Sequence, residues 1–260
     1  MAPNADATCR AIAAYVGRKL GLRTEFVEDI SWRERERLFD AGEIQLCWLC
    51  GLPYVWKADT PPSAIALLAA PVMAAPRYAG KPHYFSDVVV HAQSGYQSFD
   101  ELRGASWAYN EANSHSGYNV VRYHLKRLGA NEGYFGDAVE SGAHQVSLRM
   151  IVNREIDAAA IDSTVLENEL ARMPELKHEI RVINILGPSP MPPWVMRANL
   201  PQSLQQALKV TFLQMHLDDE GMGVLQSWGM ARFDPVDDVA YDPIRQMAAE
   251  AVNVRLTAQT

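Results

Sequence analysis

Between residues 105 and 129 the pattern of apolar and polar positions changes period: a short strand, a polar turn, then an amphipathic helix. Tyr118, Val121, Leu125 and Leu128 recur at three- and four-residue steps as one apolar stripe, and Asn119, Arg122, Lys126 and Arg127 take the other face. Gly129 closes the helix. At its front, Asn113 or Ser114 supplies the cap. The first-turn N–H groups have no intrahelical partner and carry the positive end of the helix dipole, so they favour a negatively charged ligand. Ser114, His115, Ser116 and Gly117 place two hydroxyls, an imidazole and a residue without a side chain where a cap needs one oxygen.

Elsewhere the pattern alternates strand with helix. Residues 8–20 carry Ile12, Tyr15, Val16 and Leu20 on one side of a helix, 22–27 alternate as a strand, and 31–41 form a charged helix showing Trp32, Leu38 and Phe39 to the core. Strands follow at 44–49, 65–73 and 84–91, the last strongly β-branched. After a short helix at 99–103 and the stretch described first, 134–139 read as strand and 143–154 as a second amphipathic helix with a polar front. Residues 156–161, small and apolar, predict a buried strand that ends at a helix cap, Asp162-Ser163. A strand at 181–186 leads into the most proline-rich stretch, 187–193, and a strand at 194–197 follows. From 201 onward the pattern is helical. This is α/β rhythm, although the first element is a helix where such a domain usually opens with a strand.

A chain of 260 residues can bury one large core or two lobes. With 48% hydrophobic and 21% charged residues it is a globular composition, not a disordered one. The net charge of −7 disfavours nucleic acid as a partner but leaves room for a small anion held by local donors. No apolar run reaches the length of about 20 residues that spans a bilayer, and the N-terminus shows no basic region followed by an apolar core, so the chain as given is expected to carry no export signal. Cys9, Cys47 and Cys50 make no disulfide framework. The Cys47-Trp48-Leu49-Cys50 spacing matches a redox motif, but it falls on a strand rather than at a helix start.

Three predicted strand ends then stand out: 110–116, 141–144 and 162–163. In open α/β sheets ligands bind at such carboxyl ends, where helices begin. In order, Tyr84-Phe85-Ser86-Asp87-Val88-Val89-Val90, Ser114-His115-Ser116-Gly117-Tyr118, Ser141-Gly142-Ala143-His144-Gln145-Val146-Ser147 and Asp157-Ala158-Ala159-Ala160-Ile161-Asp162-Ser163 give nearly the whole chain a pattern that resembles the phosphate/phosphite/phosphonate-binding proteins of ABC transporters. Gly51-Leu52-Pro53-Tyr54 echoes that family's early Gly-Pro-x-x-Tyr segment.

The resemblance implies the type 2 periplasmic-binding-protein fold, two α/β lobes joined by two crossing strands, with lobe 1 from residues 1–83 plus 190–260 and lobe 2 from 84–189. It implies a small oxyanion ligand held between the lobes by Ser114, His115, Ser116 and His144, with Tyr54 and Tyr84 as walls and Asp162 accepting from a protonated ligand oxygen or an amine. It further implies a monomer, periplasmic, delivering its ligand to a permease, with no cofactor, no metal and no catalytic residue. His115 stands where the family has Thr or Ser, and brings a larger donor that titrates near neutrality. Ala143 stands where it has Ser.

Three other readings remain. Ser116, His144 and Asp162 suggest a serine hydrolase, yet no G-x-S-x-G elbow accompanies them. His115, His124 and His144 suggest a metal, but a separation of nine positions turns the first two to different helical faces. A cytosolic enzyme or cofactor-precursor synthesis protein on the same fold, resembling the chorismate-dehydratase branch of menaquinone biosynthesis, is the stronger rival.

Overall fold

The computed structural model describes residues 3–258. Met1, Ala2, Gln259 and Thr260, assigned above to lobe 1, lie outside the described residues, as does the side chain of Trp32. The chain divides into two compact units: Pro3–His83 with Pro190–Asp242, and Tyr84–Ser189 with residues 243–258.

The first unit opens with α1 (Asp6–Leu20), which buries Ile12, Tyr15 and Val16 and ends at Gly21 in the left-handed region, φ 64°. In α2 (Trp32–Asp40) the Ser31 hydroxyl caps the Glu34 N–H. Residues 22–27, expected as a strand, form none. A strand is made by a neighbour's N–H and C=O groups; these residues have no ladder partner among those described, and Leu22 is 43% exposed. β1 (Leu46–Trp48), α3 (Gly51–Ala58) and β2 (Ile65–Met73) follow.

In the second unit come β3 (His83–His91), β4 (Ser106–Tyr109), α4 (Val120–Arg127), β5 (Asp137–Glu140), α5 (His144–Val152), β6 (Ala158–Asp162), α6 (Ser163–Arg172), the single turn α7 (Leu176–Glu179) and β7 (Ile180–Pro190). The sheet order is β5-β4-β6-β3-β7, with β4 parallel to β5 and β6, and β3 antiparallel to β6. Alternation along the central strands serves two cores. Val88, Val90, Trp107, Ala158 and Ala160 pack with Val120, Val121 and Leu125, while Val89, Ala108, Ala159 and Ile161 pack with Leu148, Ile151 and Leu166. Small residues in β6 let helices approach both faces. The sheet's edge strand β7 runs on through Gly187 and Pro188 to Pro190, further than the expected 181–186, because an edge strand tolerates proline.

Back in the first unit, β8 (Trp194–Arg197), α8 (Gln202–Gln214), α9 (Asp219–Gln226) and β9 (Met230–Asp234) complete a sheet of order β1-β8-β2-β9. β9 lies within the stretch expected to be wholly helical. The last helix, α10 (Asp242–Glu250), and the residues after it leave this unit. Ala251, Val254 and Leu256 are buried with Trp107 and Phe135, the Phe135 N–H donates to Leu256 O at 3.0 Å, and Arg122 donates to the carbonyls of Ala251, Val252 and Val254. The expected assignment of 243–260 to lobe 1 is therefore corrected as far as residue 258. Apolar burial and a guanidinium over three carbonyls tie that tail to the second unit.

Candidate functional site

In the second unit β4 and β5 run in parallel register, Tyr109 opposite Glu140, and β6 runs parallel beside β4. Their carboxyl ends therefore share one edge of the sheet, and Ser86 of antiparallel β3 lies opposite Asp162 there. Each end leads to a helix start, the place where backbone N–H groups are unspent.

After β4 the chain turns through residues 110–114 into a π-turn, His115–Asn119, that opens α4. The Ser114 hydroxyl accepts from Gly117 N–H at 3.1 Å, and the Asn119 N–H closes the wide turn on Ser114 O at 3.0 Å. A π-turn inserts a residue into the helical repeat, so the apolar face is displaced from that expected. Val120 joins Val121 and Leu125 in the core and Asn119 is buried, while Leu128 is 42% exposed. Gly117 is needed for close approach: a Cβ there would stand 2.0 Å from Asn110 Oδ1 and 3.3 Å from His144 Cε1.

That approach brings two helix starts together. Ser116 Oγ lies 3.0 Å from His144 Nε2 and 3.4 Å from Ser114 Oγ. His144 is the first residue of α5, whose cap position, Ala143, offers no side-chain oxygen. Burial pushes the His144 imidazole down to about 3, so it is neutral near pH 7. Its Nδ1, Ser86 Oγ and Asn110 Oδ1 are buried without a hydrogen-bond partner among the described residues. Buried polar atoms are normally paired, so these three are candidates for a ligand's hydrogen bonds.

Asp162, at the end of β6, caps α6: one carboxylate oxygen accepts from Thr164 N–H at 2.8 Å and from its hydroxyl at 2.7 Å. Burial nevertheless pushes its carboxyl up to about 6, with nearby Asp87 adding in the same direction and the Thr164 and Val165 hydrogen bonds opposing.

His115 departs from its expected role. Its side chain is fully buried, with Nε2 2.9 Å from Ser189 Oγ, Nδ1 3.2 Å from the Asn119 amide nitrogen, and the ring edge-on to Tyr84 at 6.5 Å. Burial pushes it down to about 3, so the donor that titrates near neutrality is corrected to a neutral imidazole whose two nitrogens already face protein groups.

Ser114, His115, Ser116, His144, Asp162 and Tyr84 thus all belong to the second unit, Tyr84 fully buried on β3. Tyr54 belongs to the first, on α3, where its hydroxyl donates to Asp238 at 2.6 Å and its ring lies 4.5 Å from that of Tyr241. Ser86, Asn110, Asn119 and Ser189 are the polar residues of the site that sequence pattern does not single out. Asn110 had a signal, standing directly after a strand and before the serines; Ser189, among prolines, had none.

The geometry also bears on the rival chemistries. Ser116 and His144 are spaced as nucleophile and base, but among the described residues no group orients His144 at Nδ1, as a triad requires. Among the described residues no group of three His, Cys, Asp or Glu side chains is placed to hold a metal. Cys47 and Cys50 are unbridged, and burial pushes the Cys47 thiol up to about 11, away from the reactive thiolate.

The model of a family described as the periplasmic, phosphonate substrate-binding protein of ABC transporters matches residues 2–241. A phosphonates-binding periplasmic protein of Escherichia coli K12 is 26% identical over 176 residues, 65% of this chain and 51% of its own length. The chain thus spans about half the length of that curated relative. A binding-protein component of an ABC phosphonate transporter from Pseudomonas aeruginosa superposes with a TM-score of 0.84 at 19% identity, over 96% of this chain and 82% of that one. PhnD1 of Prochlorococcus marinus MIT 9301, in complex with methylphosphonate, gives a TM-score of 0.83 at 19% identity, over 96% of this chain and 93% of that one. At such identity the likeness is one of fold, the type 2 periplasmic-binding-protein fold.

Proposed function

The chain belongs to the family of periplasmic phosphonate-binding proteins of ABC transporters, and we propose that it captures a small oxyanion of the phosphonate, phosphate or phosphite class and delivers it to a transporter permease in the periplasm, with no reaction on the ligand. The observation that carries this reading is the pairing of Ser116 with His144 across two helix starts, with the buried Nδ1 of His144, which has no partner among the described residues, beside it. Ser114, Ser116, His144 and the first-turn N–H groups of the π-turn and α5 are the proposed donors. All are neutral, so the anion is held by dipoles and hydrogen bonds rather than by a cation. Each hydrogen bond to a charged group contributes about 1.5 to 3 kcal/mol. A handful, less desolvation, reaches the roughly 8 kcal/mol of micromolar affinity.

Asp162 gives the site its selectivity in this reading. A carboxyl raised by burial shares a proton with a ligand oxygen and repels one that has none to share. Phosphate, phosphite and phosphonates hold an ionisable proton near neutrality, and sulfate does not. Tyr84 braces the turn through His115. The protein acts as a monomer.

Against the rival, an enzyme on the same fold, stands the family, which is one of substrate-binding proteins rather than enzymes. A thermal-shift panel of phosphate, phosphite, methylphosphonate, 2-aminoethylphosphonate and sulfate tests the reading. A ligand at about 100 times its Kd adds roughly 2.7 kcal/mol of stability. A shift with one or more phosphorus oxyanions and none with sulfate is expected. No shift with any of them overturns the proposed ligand class.

A further inference from the structure

His115 sits between the two proposed donors Ser114 and Ser116 but turns its ring away, toward the end of β7. The Asn119 amide nitrogen can only donate, so Nδ1 of His115 accepts and the ring proton rests on Nε2, which donates to Ser189 Oγ at 2.9 Å. Both ring nitrogens of a fully buried imidazole are thereby engaged. Asn119 also closes the π-turn through its backbone N–H, so the turn and the ring move as one piece. At the other end, Ser189 is 1% exposed and is the last residue of the second unit before the chain passes to Pro190 of the first. Of Leu186, Gly187, Pro188, Ser189 and Pro190, it alone has a side chain that can hydrogen-bond.

We propose that His115 is a positioning residue that ties the anion-holding turn to Ser189, so that a ligand seated on the turn restrains the end of β7, where the chain leaves the second unit. This rests on the oxyanion reading of the turn and extends it to a consequence of binding. The role suits an imidazole: it reaches from the turn to the next strand end while leaving the flanking hydroxyls free for the anion.

Amide hydrogen exchange in the intact chain, with and without saturating methylphosphonate, tests this through the amides of 115–119 and of Leu186, Gly187 and Ser189. In the wild-type protein the ligand is expected to slow exchange in both segments, by about fivefold or more at the strand end. In Ser189→Ala and His115→Thr the turn stays protected on binding but the ligand-dependent protection of the strand end is lost; His115→Gln, whose amide can donate to Ser189, restores it. Protection confined to the turn in the wild type, or strand-end protection unchanged in Ser189→Ala, overturns the proposal. If no oxyanion protects the turn at all, the oxyanion reading fails on its own, and the ligand-free samples decide the tether. There, Ser189→Ala speeding exchange at 115–119 by about threefold supports it, and no change overturns it.

Discussion

Ser116 Oγ and His144 Nε2 stand 3.0 Å apart although they open two different helices, and the contact exists because Gly117 lets α5 and Asn110 close on the turn. The two residues are expected to act on the ligand as one unit. Ser116→Ala should weaken methylphosphonate binding at least about tenfold, or 1.4 kcal/mol. In a double-mutant cycle with His144→Ala the losses should fall short of additive by about 0.5 kcal/mol or more, read by titration calorimetry. Strict additivity would show that the two donors act separately.

Gly117→Ala should do damage out of proportion to one methyl group. The added carbon would stand 2.0 Å from Asn110 Oδ1, so that side chain and then His144 must yield, at about 1 to 3 kcal/mol of stability. Asn110→Ala in the same chain should recover part of that loss. A Gly117→Ala protein as stable as the parent, by urea denaturation, would mean the approach is looser than described.

Acid should destabilise the second unit in a definite window. His115 and His144 are held near pKa 3, below the ordinary 6.5, so between these values the unfolded chain binds protons the folded chain refuses and stability falls as pH falls. Asp162, raised from 3.8 to about 6, has the opposite sign: the folded state keeps its proton between those values, and stability rises as pH falls through 6. Near pH 5 the three sum to about one proton net, or about 1.4 kcal/mol per pH unit. His144→Gln should remove a slope of that size between pH 5.5 and 4.5. An unchanged slope would show that His144 is not held neutral.

The ends of helices and strands in the second unit were legible because they are written in local chemistry. Ser114, Asp162 and Gly129 punctuate their elements where the pattern puts them, Ser114 and Asp162 as side-chain caps and Gly129 in the left-handed region at φ 72°. What escaped depends on distant partners. Residues 22–27 have a strand's alternation and no neighbour among the described residues, whereas Met230–Asp234, with little pattern, becomes β9 because β2 pairs with it. The π-turn moved Asn119 from the solvent face to the interior, since one inserted residue displaces a helical stripe. His115 illustrates the same limit. Its place in the motif suggests a ligand donor, but the direction of its ring is set by Ser189, 74 residues away.

The most direct test of the account is to titrate methylphosphonate into isotope-labelled protein and follow the backbone amides by NMR. Saturable shifts are expected, fitting one site, centred on residues 114–119 and 144–147, with sulfate producing none at the same concentration. Saturable binding whose shifts leave both segments untouched, or no binding of any phosphorus oxyanion, would contradict it.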